Sequence, residues 1–350
     1  MRRPTATHRD LSRIWRRLKR GFRAPRKVQE NIWVWSPVLV PLHNLKMVRW
    51  LNRLLLSFGV SVGSAMAGLK PRLLWAYSPL TTELFDTGRF DFLVYHAVDD
   101  IKAQPGMPRE AILTAEAELT RRADVIFTTA PNLYEMHRTS NPETYFFPNV
   151  ADYQHFAKAR APETAAPDDL AKIPSPRVGF VGAISGYKLD LPLIRAVADS
   201  RPDMSFVMIG EVGEGDPWTD ASLLEGCDNI HLMGGRAYDS LPAYLKGMDV
   251  AILPSLANEY TRSMFPMKFF EYLAAGLPVV ATSLPALSGY GEVATFCDGP
   301  EAFAAALDEA VAGGGPPLEK RLAAAQDNTY ESRTEKMMAI VDRLWRKRHG

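Results

Sequence analysis

Asn258-Glu-Tyr-Thr-Arg-Ser-Met-Phe-Pro-Met-Lys-Phe-Phe-Glu-Tyr-Leu-Ala-Ala-Gly-Leu-Pro-Val-Val-Ala-Thr282 reads as a polar loop, a helix and a buried strand in succession. Proline suits a first helical position, where its missing N–H is not needed, so the helix is expected to open near Pro266 and stop at Gly276. Leu277 to Thr282 is a short β-branched run of the kind found in a parallel strand covered on both faces. Strand-like and helical runs alternate on either side of this stretch, which predicts an α/β chain with parallel sheets and right-handed crossovers.

A helix N-terminus presents unpaired amides and a partial positive charge, so the loop from Thr261 to Met267, with Phe265 inside it, is a natural seat for a phosphate. Lys268 adds a full charge one turn in. Glu271, three residues later, is placed to accept hydrogen bonds from vicinal sugar hydroxyls. An ordinary loop and helix with a solvated lysine and glutamate has the same spacing.

Pro266-x-Lys-x-x-Glu-Tyr-Leu-Ala-x-Gly-x-Pro-Val-Val resembles the donor-site signature of retaining nucleotide-sugar glycosyltransferases of the GT-B architecture, in the branch that builds bacterial surface polysaccharides. The resemblance implies two Rossmann-like domains facing a cleft, with Glu271 on the donor ribose and the loop and helix-start amides on the diphosphate. Many relatives carry a second glutamate eight positions before the ribose glutamate. Here that position is Ser263, and Asn258, Glu259 and Thr261 are the nearby candidates to take over its contact with the transferred sugar.

The chain of 350 residues is long enough for two cores. Cys227 and Cys297 lack metal-ligand spacing or a disulfide framework, which fits a reducing compartment. Neither an Asp-x-Asp nor a His-x-x-x-His pair occurs, so no metal or other cofactor is expected and the sugar nucleotide is a substrate. Residues 1–75 hold 16 Lys/Arg against Asp10 and Glu30, a charge of +14 that leaves −13 for the remainder of a chain of net +1.

Leu11, Ile14, Trp15, Leu18 and Phe22 form one apolar stripe in a basic stretch over 10–23. A basic amphipathic helix of this kind lies in an anionic bilayer interface or packs on its own domain. Residues 43–58 read as a second basic, apolar helix that extends the same surface. Leu54 to Leu69 is uncharged for 16 residues, but three serines and three glycines make it a buried helix with a following turn sooner than a span. Elements for nucleic-acid readout are absent. A cytoplasmic protein, peripheral on the inner face of the plasma membrane, is the expectation.

Asn31 to Pro37 reads as a strand, and 73–77 as another. Phe92-Leu-Val-Tyr-His-Ala-Val-Asp-Asp100 is a buried strand ending in polar residues, where ligands of an open α/β sheet sit. His96 is therefore a candidate to contact the transferred sugar or the acceptor hydroxyl, with a satisfied structural histidine as the alternative. Asp100 fits a helix cap. Residues 145–156 resemble the family element that leads into the interdomain linker, and 157–176 have linker composition.

The second domain opens with Arg177-Val-Gly-Phe-Val-Gly182. Its glycine-rich turn, Gly182 above all, lets the backbone approach a phosphate. In the resembled family a basic residue just beyond this turn neutralises the leaving group, and Lys188 fills that place. The organisation read from the chain is a basic arm over 1–30, an acceptor-side domain over 31–156, a linker over 157–176, a nucleotide-sugar domain over 177–330, and a helix over 331–350 crossing back, with Val341, Leu344 and Trp345 on its buried side. The family's usual first strand has no counterpart before residue 31. The resemblance implies a hexosyltransferase acting on a saccharide or lipid-linked acceptor. An epimerase or phosphorylase, or a non-catalytic nucleotide-sugar-binding protein, shares the donor half.

Overall fold

A computed structural model describes residues 24–37, 39–40, 46–213, 216 and 218–350. The amphipathic stretch 10–23 and the start of the second basic helix at 43 lie outside the described residues. The chain folds as two compact units, a first comprising Met1–Thr128 with Glu135–Tyr145, and a second comprising Thr129–Tyr134 with Phe146–Gly350.

The first unit begins with an antiparallel hairpin, β1 (Arg26–Gln29) and β2 (Ile32–Val34), where a single strand from Asn31 was expected. Asn31, at φ 61°, makes the turn, a conformation asparagine tolerates better than most residues. The hairpin packs on helix α1 (Lys46–Ala67) through Trp35, whose ring would lie 1.8 Å from a Cβ at Gly59. Glycine alone fits there. Then come β3 (Leu73–Ala76), α2 (Thr81–Leu84), β4 (Phe92–Ala97), α3 (Arg109–Arg122), β5 (Val125–Thr128), α4 (Pro131–Arg138), whose first residues to Tyr134 group with the second unit, and β6 (Thr144–Phe146). Strand order is β3-β4-β5-β6, and β4 pairs parallel with both β3 and β5. Every residue of β4 and β5 is buried, as unbroken apolar strands in a covered parallel sheet require.

A buried polar network sits under this sheet. Tyr95 donates to Glu116 Oε1 at 2.7 Å, Lys102 Nζ reaches Asp100 Oδ1 at 2.6 Å and Glu116 Oε2 at 3.7 Å, and Thr120 Oγ1 meets His137 Nδ1 at 3.1 Å. Asp100 stands at the N-cap position of the short turn Ile101–Ala103, as expected, but its side chain makes no cap bond because its carboxylate is taken by a buried ammonium.

The second unit contains α5 (Tyr153–Ala157), α6 (Asp168–Ala171), β7 (Arg177–Val181), α7 (Leu191–Ser200), β8 (Ser205–Ile209), β9 (Ile230–Gly234), α8 (Leu241–Lys246), β10 (Val250–Leu253), α9 (Glu259–Arg262), α10 (Lys268–Ala275), β11 (Val279–Ala281), β12 (Thr295–Phe296), α11 (Pro300–Val311), α12 (Leu318–Asp327) and α13 (Tyr330–His349). The stretch 157–176 is no unstructured tether, since it carries α6 and buries Ala159 and Leu170. Its sheet runs β12-β11-β10-β7-β8-β9 with every pair parallel. Strand order reverses between β7 and β10. In open α/β sheets the crevice beyond the carboxyl ends at that reversal is where ligands bind.

The core of this unit centres on α10. Phe269 to Ala275 are all buried, so the helix is enclosed around its whole circumference and is apolar there except for Glu271 and the Tyr272 hydroxyl. Phe265, Phe269, Phe270 and Tyr290 pack edge-to-face and stacked with centroids 5.2–6.1 Å apart. Full burial of each phenylalanine stabilises by about 1.5–3 kcal/mol. Gly276, at φ 86°, ends the helix as its left-handed cap, as the sequence predicts. In α13, Val341 and Leu344 are buried as expected, with Met337 beside them. Trp345 is only half-buried and stacks on His349 at 4.4 Å.

Candidate functional site

Two segments meet where the strand order reverses. One leaves β7 at Gly182 and runs to Lys188, and the other leaves β10 at Pro254 and runs to α10. They are joined by Leu256 N to Lys188 O at 2.9 Å, Asp190 N to Pro254 O at 2.9 Å, and Asn258 Nδ2 to Tyr187 O at 2.8 Å. The turn at Gly182 is pressed against Gly210, where an added Cβ would lie 1.8 Å from the Gly182 carbonyl oxygen. No other residue fits at 210 without moving the turn.

Lys188 lies between two rings, its ammonium 5.3 Å from the Tyr187 centroid and 5.5 Å from that of Tyr260. The rings meet edge-on at 5.1 Å. Two aromatic faces hold this cation in place without neutralising it.

Asn258 and Thr261 form a capping box around α9. Asn258 Oδ1 accepts from Thr261 N at 3.0 Å, and Thr261 Oγ1 accepts from Asn258 N at 3.0 Å while donating to the Leu256 carbonyl. Both side chains are thus committed to the loop itself. Ser263 is buried, and its hydroxyl accepts from Asn132 Nδ2 at 2.6 Å, Asn132 belonging to the segment that groups with this unit. Phe265 is a core residue, tied by its carbonyl to Asn149 Nδ2 at 2.8 Å. Met267 is exposed and stands at the N-cap of α10, which begins at Lys268, two residues after the expected Pro266. It offers that helix no side-chain acceptor, and although Phe269 N turns back to the Pro266 carbonyl at 3.1 Å, no side chain competes with an anion for the helix start.

Lys268 Nζ donates to Glu271 Oε2 at 2.7 Å. Glu271 is 4% exposed, and burial holds its carboxyl above the ordinary range while Lys268 and His155 pull the other way. Around it stand His155, capped into place by Asp152, and Tyr238, whose ring stacks on His155 at 4.4 Å and whose carbonyl meets His155 Nε2 at 3.1 Å. Next to Glu271 in the chain, the Tyr272 hydroxyl donates to the Val181 carbonyl and accepts from Val181 N at 2.7 Å, which pins α10 to the end of β7.

The structure therefore brings Gly182, Lys188, Asn258, Thr261, Ser263, Phe265, Met267, Lys268 and Glu271 into one unit beyond the strand ends. His96 belongs to the first unit. It is the penultimate residue of β4, is buried, and stands in an aromatic box with Trp75, Tyr77 and Phe127, its Nδ1 accepting from the Trp75 indole at 3.4 Å. Sequence reasoning missed Tyr187, Tyr260, Asn132, His155 and Tyr238. Tyr187 and Tyr260, beside the quoted motifs, and His155, inside the 145–156 element, carried a local signal, whereas Asn132 and Tyr238 carried none.

Among the described residues no group of three His, Cys, Asp or Glu is placed to hold a metal ion, and no helix is long and apolar enough to cross a membrane. Residues 175–313 match the family described as glycosyl transferases group 1. That stretch, less than half of the chain, takes in the Gly182 turn, Lys188, the capping box and Glu271. The chain is 31% identical over 185 residues to TuaH of Bacillus subtilis, described as a putative teichuronic acid biosynthesis glycosyltransferase. The match covers 51% of this chain and 45% of TuaH, so the chain spans about half the length of that relative. Sucrose-phosphate synthase from Thermosynechococcus elongatus superposes with a TM-score of 0.68 at 16% identity, over 93% of this chain and 86% of the other. Anabaena HepE in complex with UDP and glucose gives 0.57 at 16% identity, over 85% and 76%. These likenesses establish the fold, the two Rossmann-like units of the GT-B architecture.

Proposed function

We propose that the protein is a glycosyltransferase that moves a hexose from a nucleoside diphosphate sugar to a saccharide or lipid-linked acceptor with retention of configuration, in the synthesis of a surface or extracellular polysaccharide. The observation that carries this reading is the ion pair of Lys268 and a buried Glu271 at the start of an uncapped helix, beside a second lysine held between tyrosines. Two ammonium groups and a helix N-terminus match the charge of a diphosphate, and a carboxylate one turn deeper matches vicinal hydroxyls.

In this reading the bond from the anomeric carbon to the diphosphate oxygen breaks, and negative charge gathers on the diphosphate. Lys188, Lys268, the Gly182 turn and the loop amides stabilise that charge, and no metal is invoked. Asn258 and Thr261 hold the loop in shape, Phe265 anchors it in the core, and Met267 borders the diphosphate. Ser263 with Asn132 stands where relatives place a carboxylate toward the sugar, and His96 positions the sugar or the acceptor hydroxyl. The bacterial relative supports a polysaccharide acceptor, and the UDP complex of a structural neighbour supports a nucleotide donor. The basic first 75 residues support work at an anionic membrane surface on the cytoplasmic side.

Incubation with labelled sugar nucleotides, with and without a membrane extract, tests the reading. Label should pass to a saccharide or lipid fraction. Conversion of the nucleotide sugar without transfer would identify an epimerase, and an unchanged nucleotide affinity in Glu271→Ala by calorimetry would remove the donor site.

A further inference from the structure

Helix α1 turns its apolar stripe outward. Met47, Trp50, Leu54, Phe58, Val62 and Met66, at helical spacings of three and four, are all exposed, Trp50 at 62% and Phe58 at 71%. The opposite side is the buried one, with Val48 and Leu56 inside and Asn52 bonded to both the N–H and the carbonyl of Val40. A contiguous exposed face of this size on a folded unit marks an interaction surface.

One row round the helix from Phe58 and Val62 lie Ser57, Ser61, Ser64 and Ala65. They wall a cavity of about 360 Å³ whose far side is Phe85 and Phe90. Lys70 and Arg89 line it as well, Arg89 donating to Ser61 Oγ at 3.3 Å. Its one carboxylate among the described residues, Asp86, is already engaged by Arg53 at 3.5 Å and Gly88 N at 3.3 Å. Pro71 and Phe90 lead into β3 and β4, so the cavity is at the amino ends of these strands, whereas His96 is at the carboxyl end of β4.

Charge selects the occupant. Between residues 46 and 72 there are five cations, Lys46, Arg49, Arg53, Lys70 and Arg72, and no acid. A second copy docking through the same face would set these cations against themselves. Residues 1–23 carry nine Lys/Arg against one acid and would meet the same repulsion. What fits is an apolar layer edged with anions. We propose that α1 and this cavity dock on an anionic bilayer, with one phospholipid phosphate on Lys70 and Arg89 and its acyl carbons between Phe85, Phe90 and the small residues of α1. The inference deepens the membrane contact proposed above by naming the surface and the lipid class. Aromatic and basic side chains on one helix match the boundary between headgroups and acyl chains.

The test is flotation of the full chain with vesicles of phosphatidylcholine alone or mixed with phosphatidylglycerol, without sugar nucleotide, so that failure here leaves the transferase reading untouched. The protein should float only with the mixed vesicles. Phe58→Asp, a change at an exposed position, should abolish flotation, and Lys70→Ala and Arg89→Ala should each weaken it about fivefold. Titration with dihexanoyl phosphatidylglycerol below its micellar concentration should saturate, and Ser64→Trp, which fills the cavity, should remove that binding. If Ser64→Trp fails to fold, the Lys70→Ala, Arg89→Ala double variant takes its place in the titration. Equal flotation on neutral vesicles, full displacement of the short lipid by inorganic phosphate, or a dimer that Phe58→Asp dissociates would each overturn the proposal.

Discussion

Glu271 is a carboxylate kept where its charge is disfavoured. Burial raises its pKa more than Lys268 lowers it, so the apo protein is destabilised by the ionised form. Glu271→Gln should raise the melting temperature, while loss of the charged acceptor should weaken sugar-nucleotide binding by about 2 kcal/mol, roughly thirtyfold. Calorimetry and thermal melts on one sample check both directions. Lys188 is the opposite case, an ammonium whose neighbours are rings and not carboxylates. Lys188→Met should leave stability nearly unchanged and lower kcat by about a hundredfold or more with a smaller effect on KM, if it acts on charge that develops during transfer. Steady-state kinetics against a thermal melt separates the two effects.

At the scale of elements, the short helix α9 depends on its capping box more than on its own four residues. Asn258→Ala removes one cap bond and the tie to Tyr187, and should cost about 1 kcal/mol. Hydrogen exchange should quicken over 256–263 before it does elsewhere. Much of this level is legible in the sequence. The end of α10 at Gly276 and the strands on either side of it follow from local sequence, because capping and β-branched runs are local physics, whereas Lys188 is pointed to by the resemblance alone. The aromatic clamp on Lys188 joins residues far apart in the chain, and no periodicity connects them. Asn258 and Thr261 stand where the motif predicts ligand contacts, whereas their side chains serve the backbone, as Asn and Thr commonly do at helix starts. For α1 a basic, apolar helix is legible in the sequence, but the row that faces outward is not, because periodicity defines a face without saying whether protein covers it. Of the hairpin only the second strand is read from the sequence, since Arg26–Gln29 falls within the basic arm and the turn that pairs it back rests on the φ of Asn31.

For the whole molecule, two separately packed units carry buried groups with opposite pH responses. His137, in the first unit, has its pKa lowered by burial below the ordinary 6.5. Its contribution to stability is present above that value and is lost as pH falls through the lowered folded pKa. Glu271, in the second, has a folded pKa above the ordinary 4.5, so its contribution is present below that value and is lost as pH rises through the folded pKa. Exchange protection in β4 and α3 should therefore decline between neutral pH and mild acid while protection in α10 does not. His137→Gln should flatten the decline.

The pairing of Asn258 with Tyr187 spans 71 residues, and parallel strands cannot be closed by a short hairpin. These two halves of the proposed phosphate seat are brought together only when β7 and β10 lie side by side, which is a late event for a topology built from distant pairings. Occupancy would then report on completion of folding: a cognate nucleotide would rescue marginal variants of the second unit in proportion to ln[ligand], and truncated or half-wound chains would gain nothing from it.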